Sequence, residues 1–173
     1  PGQTADEPVA TIVAALNEAV GSEVYSYIAT GPIGTDAIKQ AILYKTEKVD
    51  PVGEFAILDA TVDPDFDTTR NRPALAMSFQ DKITGEVFTV SVNHLKSKGS
   101  ACADDPDLGD GAGNCNLTRW RAAKALVRWL ESDPTEAGSD MYVIIGDLNS
   151  NAMEDPIDAI KLGADQIADT ADD

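Results

Sequence analysis

Apolar residues recur at helical spacing in two long segments of the chain. Between about residues 8 and 20, a proline lies in the first turn and Gly21 ends the pattern, so an amphipathic helix is predicted there. A second helix is predicted from Leu117 to Leu130. Asp155 and Pro156 are typical of a helix start and predict a third, short helix that Gly163 can end. The buried stripe expected on the second helix consists of Trp120, Ala123, Leu126, Val127 and Leu130.

Alternation of apolar and polar residues predicts the strands. It runs through Leu75–Phe79 and again through Phe88–Val92, on either side of the turn-forming sequence at 81–85, and this arrangement indicates a β-hairpin. Shorter strands are predicted at about residues 24–29 and 37–45, and an apolar strand at 141–146. Because helices and strands alternate along the chain, the pattern predicts an α/β layered fold. The sequence has no internal repeat or linker, which favours a single domain over residues 1–173 with an acidic tail at 164–173 that is expected to fray.

Candidate chemistry is concentrated where two of these strands end. The strand at 141–146 runs into Gly146, and Asp147 and Asn149 follow two residues apart. Because side chains two apart on a strand point the same way, both are expected to face one site, beside a glycine where the backbone can approach a ligand. The strand that ends near residue 95 carries Asn93 and His94, the single histidine of the chain. A carboxylate, an amide and an imidazole at strand ends favour hydrolysis of a charged ester.

Each of these features also has a purely structural interpretation. A Gly–Asp pair after a strand commonly forms a turn, because aspartate accepts hydrogen bonds from its own backbone and glycine adopts unusual dihedral angles. His94 continues the alternation of Phe88, Val90 and Val92, so a hydrogen-bonded core histidine fits the pattern as well. The combination of the two strand ends carries more weight than either one.

Two sequences, VNHLKSKG at 92–99 and GDLNSN at 146–151, together resemble motifs of the endonuclease/exonuclease/phosphatase superfamily, which has the deoxyribonuclease-I-like fold. Segments 34–45 and 71–75 resemble strands of that family, and segment 98–123, with its two cysteines, resembles the bacterial extracellular nuclease branch. The resemblance implies an α/β fold that forms part of a layered sandwich, with a mixed, mainly antiparallel sheet and flanking helices.

The resemblance also implies roles for individual side chains. His94 is expected to hydrogen-bond the scissile phosphate, Asp147 to orient the attacking water or contact a metal ion, and Asn149 to donate to the same phosphate. Mg²⁺ or Mn²⁺ is the implied cofactor of the complete site. Further substrate contacts are expected from Arg72, Asn93 and Lys96.

Other features of the superfamily have no counterpart in this sequence. They are an asparagine near the first strand, a metal-binding glutamate at the end of a later strand and an Asp–His pair near the C terminus. We therefore interpret the chain as the central segment of a truncated nuclease domain, whose general base and principal metal ligand lie in missing N- and C-terminal parts. Such a segment is expected to have little or no activity alone.

The net charge of −17 is unfavourable for binding a polyanion, because basic faces supply most of the affinity for nucleic acid. Six of the 13 basic residues nevertheless lie between positions 96 and 128, where they are candidates for a positive rim beside the site. A solvated helix face explains them as well. These six residues are Lys96, Lys98, Arg119, Arg121, Lys124 and Arg128.

Cys102 and Cys115 bracket an acidic, glycine-rich loop. Together with the family resemblance, this placement favours a disulfide that removes about 3 kcal/mol of chain entropy from the unfolded state. A disulfide in turn indicates an extracellular, periplasmic or cell-surface location, and two free thiols are the alternative. Within the loop, Asp105, Asp107 and Asp110 are candidate Ca²⁺ ligands, although the spacing is not that of an EF-hand and a solvated loop is the alternative.

Three functions are compatible with the sequence. The first is the central part of a secreted, divalent-metal-dependent phosphodiesterase that hydrolyses nucleic acid, DNA rather than RNA. The second is a phosphatase of the same fold that acts on phosphomonoesters or phospholipids, since a fold does not fix a substrate. The third is a noncatalytic extracellular module that binds calcium or a partner. No apolar stretch approaches the roughly 20 residues that a membrane span requires.

Overall fold

A four-stranded mixed sheet forms the centre of the structure, a computed structural model that describes residues 5–168. In chain order the elements are α1 (Glu7–Val20), β1 (Tyr25–Tyr27), β2 (Leu43–Lys45), β3 (Val49–Leu58), β4 (Ala74–Asp81), β5 (Val87–His94), α2 (Asn116–Glu131), β6 (Tyr142–Asp147) and α3 (Asp155–Lys161). Strands β3, β4, β5 and β6 lie side by side in that order. Strand β4 runs antiparallel to both β3 and β5, and β6 runs parallel to β5. Strands β1 and β2 pair separately and antiparallel.

Strands β4 and β5 form the predicted hairpin. In its turn, an Asp81 carboxylate oxygen accepts hydrogen bonds from the N–H groups of Ile83 and Thr84 at 2.7 and 2.9 Å, which stabilises the reversal. Most of β4 is buried on both faces. Its small residues Ala74 and Ala76 face one apolar core, and its larger residues face a second one. The larger residues are Leu75, Met77 and Phe79.

Different elements cover the two faces of the sheet. Helix α2 packs against the face that carries the β4 alanines, where Leu126 and Trp129 meet Phe66, and α3 packs against α2. The opposite face is covered by the segment from Ile28 to Ile42. The layering confirms an α/β fold in which helices flank a mixed, mainly antiparallel sheet, as in part of a layered sandwich.

The three predicted helices are present within a few residues of their expected bounds. The expected buried stripe of α2 needs a correction, however. Trp120 is only partly buried, whereas Trp129 and the charged Arg119 are buried. A count of apolar positions at helical spacing cannot anticipate an arginine inside the core.

The longest strand of the sheet, β3, is not predicted by alternation. Pro51 and Gly53 lie within it, and its pairing with β4 is irregular between Val52 and Ala56. An edge strand tolerates both residues because one of its sides needs no ladder partner. Strand β3 therefore lacks the pattern by which a regular strand is recognised.

The strand predicted at 37–45 is confirmed only over β2. Lys39 Nζ pairs with the Asp6 carboxylate and donates to Thr30 Oγ1 at 2.7 Å and to the Gly31 carbonyl at 2.6 Å. These bonds hold the segment before β2 beside the start of α1 rather than in a sheet.

The acidic tail is held by hydrogen bonds over its described portion. The Ala164 N–H donates to the Glu131 carboxylate at 2.9 Å, and the Gln166 amide donates to the Ala159 carbonyl at 2.9 Å. Residues 169–173, where fraying was also expected, lie outside the described residues. Within the described range, none of the helices is both long and apolar enough to cross a bilayer.

Candidate active site

The carboxyl ends of β5 and β6 place two of the predicted site residues side by side. Because the two strands are parallel, His94 is the ladder partner of Asp147. His94 Nε2 lies 3.8 Å from an Asp147 carboxylate oxygen, and the side chains are 36% and 62% exposed. The structure therefore brings an imidazole and an accessible carboxylate together at one end of the sheet.

Arg72 belongs to the same cluster. Its Nη1 atom lies 2.8 Å from His94 Nδ1 and 3.0 Å from Nε2. Because a guanidinium only donates and a neutral imidazole has a single acceptor nitrogen, at most one of these two contacts is a hydrogen bond. The Arg72 Nε and Nη2 atoms donate to one Asp36 oxygen at 2.9 and 2.8 Å. The Ala37 N–H and Arg72 together lower the pKa of Asp36 below its ordinary value.

Asn149 does not share the orientation that strand alternation predicts. Strand β6 ends at Asp147, and Asn149 has a φ of +49° in the left-handed region. The Asn149 N–H donates to the Asp147 carboxylate at 2.9 Å, and its side-chain amide donates to the Leu95 carbonyl at 2.9 Å. In this structure, Asn149 thus joins the loop after β6 to the loop after β5.

Asn93 is not at the site either. It is 2% exposed, and its amide donates to the Ser91 and Ile145 carbonyls at 3.0 and 3.3 Å. Gly146 lies opposite Asn93 in the ladder, and a Cβ atom at Gly146 would lie 2.1 Å from the Asn93 carbonyl oxygen. The backbone that Gly146 allows to come close is therefore that of β5.

Lys96 borders the cluster but is engaged elsewhere. Its ammonium donates to the Ser97 carbonyl at 3.1 Å and to the Ser100 hydroxyl. Its backbone N–H donates to the Asn71 side-chain oxygen at 2.9 Å. A substrate contact by Lys96 would require its ammonium to leave the Ser97–Ser100 loop.

An open groove of 660 Å³ runs past His94 and Arg72. It is also lined by Asp36, Asp59, Thr68, Thr69 and Arg70. The sequence contains no motif that indicates a functional role for these five residues. The Thr61 hydroxyl and N–H lower the pKa of Asp59, which outweighs the effect of its partial burial. These groove residues follow β3 or precede β2 and β4, so recognising β3 in the sequence would have drawn attention to the loop after it.

The structure is similar to several solved structures, although no family model and no curated protein matches the sequence. An endonuclease/exonuclease/phosphatase family protein from Bacteroides thetaiotaomicron aligns with a TM-score of 0.54 and 19% identity, over 87% of this chain and 50% of that one. The human Nocturnin catalytic domain with bound sulfate anion aligns with a TM-score of 0.59 and 17% identity, over 88% and 51%. A mannosyl-6-phosphatase from Bacteroides thetaiotaomicron aligns with a TM-score of 0.54 and 19% identity, over 87% and 52%. This chain has the endonuclease/exonuclease/phosphatase fold.

The chain spans about half the length of these solved structures, between 50% and 52%. The similarity therefore extends over only about half of each of those structures. One of the three structures is named a mannosyl-6-phosphatase, and a fold alone does not fix a substrate.

The positive rim suggested by the basic residues at 96–128 does not form as expected. Arg119 is fully buried, Lys98 pairs with Glu154, and Arg128 pairs with Asp63 and Asp65 at 2.7 and 3.0 Å. Lys124 lies over the Trp120 ring. Most of these charges are thus neutralised or occupied within the fold.

The two cysteines form the predicted disulfide, which closes the acidic loop. Asp105 in that loop accepts hydrogen bonds from the Thr118 N–H and hydroxyl at 2.7 and 2.9 Å, and so caps the start of α2. Asp107 and Asp110 each accept a backbone N–H two residues ahead. Calcium binding by these three aspartates stays a prediction, and their carboxylates serve the loop and the helix in the structure.

A divalent metal site is not assembled by the described residues. Among residues 5–168, no group of three or more histidine, cysteine, aspartate or glutamate side chains is arranged to hold an ion. Asp147 is the accessible carboxylate beside His94 and supplies one such ligand. The residues present therefore do not fit an Mg²⁺ or Mn²⁺ centre by themselves.

The Lys98–Glu154 pair predicts an acid-dependent loss of stability. Burial raises the pKa of Glu154, but hydrogen bonds from Lys98 and Asn151 outweigh it, so the pKa lies below the ordinary value of 4.5. The stabilisation is present above the unfolded-state pKa and is lost as the pH falls through the lowered folded-state pKa. Glu154→Gln is expected to cost about 1 kcal/mol at pH 7.

Thermal unfolding of wild type and Glu154→Gln, from pH 7 to below pH 4.5, measures this loss of stability. The difference in unfolding free energy should shrink as the pH falls below 4.5. Glu18→Gln, at an exposed position on α1, is the matched control and should follow wild type throughout. Parallel curves for wild type and Glu154→Gln would contradict the prediction.

Proposed function

We propose that the chain forms part of a divalent-metal-dependent phosphodiesterase that hydrolyses nucleic acid, DNA in preference to RNA. One observation carries the proposal: His94 and Asp147 are ladder partners at the ends of two parallel strands, and the Arg72 guanidinium lies 2.8 Å from the His94 ring. The fold also supports the proposal, because similar solved structures include proteins named as endonuclease/exonuclease/phosphatase family members and as a phosphatase.

The proposed roles follow from the chemistry of these side chains. Hydrolysis of a phosphodiester requires donors to the nonbridging oxygens, where charge accumulates, and a group that orients the attacking water. Arg72 and His94 line the groove and can supply the donors. The Asp147 carboxylate, 3.8 Å from His94 Nε2, is placed to accept a hydrogen bond from water.

Arg72 has to be shared between its present partners and a substrate. Asp36 now binds its Nε and Nη2 atoms, and Nη1 faces His94. A phosphate in the groove would compete with the His94 ring for Nη1 and would receive a donor from each side chain. In the proposal, Asp36 keeps Arg72 aimed along the groove while the phosphate binds.

The purified 173-residue chain is expected to show little or no plasmid cleavage in Mg²⁺ or Mn²⁺. The reason is that the described residues assemble no metal site, so a metal-dependent reaction lacks its ligands. Conversion of supercoiled plasmid to nicked and linear forms measures this, with chelator-treated protein as the control. Magnesium-dependent cleavage that His94→Ala abolishes would contradict the prediction of inactivity.

Binding can test the substrate class without turnover. Because His94 is the single histidine, its ring signals in a proton–carbon correlation spectrum report directly on the groove. A dinucleotide without terminal phosphate should shift these signals, and Arg72→Ala should weaken its binding about ten- to a hundredfold, since a charged hydrogen bond contributes about 1.5–3 kcal/mol. Lys124→Ala, which removes a cation that does not line the groove, is the control. No shift with any phosphate ester would contradict the proposal.

A phosphomonoesterase is the second candidate, and the net charge favours it. At −17, the chain repels a polyanion more strongly than a small sugar phosphate, and most of its potential rim cations are engaged in the fold. Titration with a sugar phosphate beside the dinucleotide separates the two candidates. Tighter binding of the sugar phosphate at low and moderate salt would favour the phosphatase.

We also propose an extracellular, periplasmic or cell-surface location. The Cys102–Cys115 disulfide supports it, because such bonds persist in oxidising compartments. Cell fractionation with thiol labelling of the native host protein tests the proposal. Recovery of the protein in the cytosolic fraction with both thiols reduced would contradict it.

A further inference from the structure

Arg119 is a buried charge that makes no direct ion pair among the described residues. Its side chain is 0% exposed. Burial lowers the pKa of its guanidinium and the charges of Glu154 and Asp105 partly offset this, but arginine stays charged in proteins. Burying such a charge is costly unless its donors are satisfied by hydrogen bonds.

The hydrogen bonds of Arg119 show where its donors are used. Nη1 donates to the Lys96 and Asn114 carbonyls at 3.3 and 2.6 Å, and Nη2 donates to the Ala112 carbonyl at 2.8 Å. Nε donates to Ser150 Oγ at 3.3 Å. All four acceptors are neutral oxygens, and they lie in three separate segments of the chain.

Two of these segments carry the candidate active site. Lys96 follows His94 by two residues, and Ser150 follows Asp147 by three. The third segment, with Ala112 and Asn114, is the loop that the disulfide closes. A single guanidinium thus fixes the loop after β5, the loop after β6 and the disulfide loop relative to one another.

We propose that Arg119 is a positioning residue for the candidate active site. By donating to the Lys96 carbonyl and the Ser150 hydroxyl, it fixes the loops after β5 and β6 relative to each other. The planar guanidinium directs its donors in fixed directions, which a flexible ammonium cannot reproduce. The catalytic role of this site rests on the proposed function, whereas the positioning of His94 relative to Asp147 by Arg119 does not. Arg119 acts through the two loops and touches no substrate.

The His94 ring signals test the proposal without any turnover. Arg119→Met should shift and broaden these signals and raise the dissociation constant of inorganic phosphate about tenfold, because small misplacements of binding groups have large effects. Arg119→Lys should change the His94 signals and the dissociation constant less than Arg119→Met does, since lysine keeps the charge but makes fewer directed hydrogen bonds. Ser150→Ala removes one acceptor at a half-buried position and should shift the His94 signals in the same direction by less.

Leu126→Val is the matched control, since it perturbs the buried face of the same helix without touching the four acceptors. It should lower the unfolding midpoint and leave the His94 signals unchanged. If Arg119→Met does not fold, Ser150→Ala and Arg119→Lys decide the question alone. The proposal is wrong if His94 is unmoved in these variants, or if Leu126→Val moves it as much. Failure of wild type to bind phosphate, with His94 still shifted by Arg119→Lys, would overturn the proposed function and leave the positioning role intact.

Discussion

Replacement of Gly146 by alanine is expected to destabilise the fold by more than about 3 kcal/mol. Gly146 has a φ of +113°, a conformation that L-residues rarely adopt. A Cβ atom there would lie 2.1 Å from the Asn93 carbonyl oxygen and 2.9 Å from its nitrogen. Both atoms belong to the backbone of β5, so relief of the clash requires the two strands to separate. Because His94 pairs with Asp147 one step further on, the candidate active site would separate with them.

Chemical denaturation of Gly146→Ala measures the loss, and the His94 ring signals show whether the site is displaced. Gly138→Ala is the matched control, because Gly138 also has a positive φ, +70°, but nothing lies within 4 Å of an added Cβ. That variant should lose only about 1 kcal/mol, the cost of the left-handed conformation. Equal losses in the two variants would show that the close approach to Asn93 contributes nothing.

Much of the fold is predictable because its regular elements carry regular patterns. The hairpin follows from the alternation on either side of the turn that begins at Asp81, and α2 follows from apolar residues at helical spacing. Strand β3 is not predicted, because Pro51 and Gly53 break its alternation. A strand tolerates these two residues only at the edge of a sheet. Its pairing with β4 depends on residues distant in sequence, which a local pattern does not contain.

The candidate site is predictable to the extent that it lies on strands. His94 and Asp147 are strand residues, and the sequence places both at strand ends that prove to be neighbours. Asn149 lies beyond the end of β6, where the two-residue period no longer holds and a turn redirects its side chain. Asp36 lies in a loop, and its bond to Arg72 joins positions that only the tertiary fold brings together.

Charge is the property that the sequence describes least well. A run of basic residues suggests a rim for an anionic ligand, yet Arg119 is buried and Arg128 is neutralised by Asp63 and Asp65. Sequence spacing shows which residues share a helix face, but not which acidic residues approach that face from other segments. Most cations of that stretch are therefore engaged within the fold, in a chain whose net charge is −17.

Loss of the Cys102–Cys115 disulfide is expected to lower the free energy of unfolding by about 3 kcal/mol. The bond joins residues separated by 13 positions, and its removal restores the conformational freedom of that loop in the unfolded state. For a chain of this size, the unfolding midpoint should fall by about 6–12 °C. The Asp105 cap on α2 and the Arg70–Asp104 ion pair remain, so the folded loop is expected to stay near its present position.

Thermal unfolding of wild type and the Cys102→Ser, Cys115→Ser double variant, each with and without reductant, separates the disulfide from other effects of the reductant. Reduced wild type should match the double variant, and the reductant should leave the double variant unchanged. Because Arg119 binds two carbonyls of the same loop, the His94 signals should also broaden on reduction of wild type. Arg119→Lys should reduce that response, since the loop is then less firmly connected to the ends of β5 and β6. Unchanged stability in a sample whose two thiols are shown to be free would mean that the loop is held by its hydrogen bonds and ion pair alone.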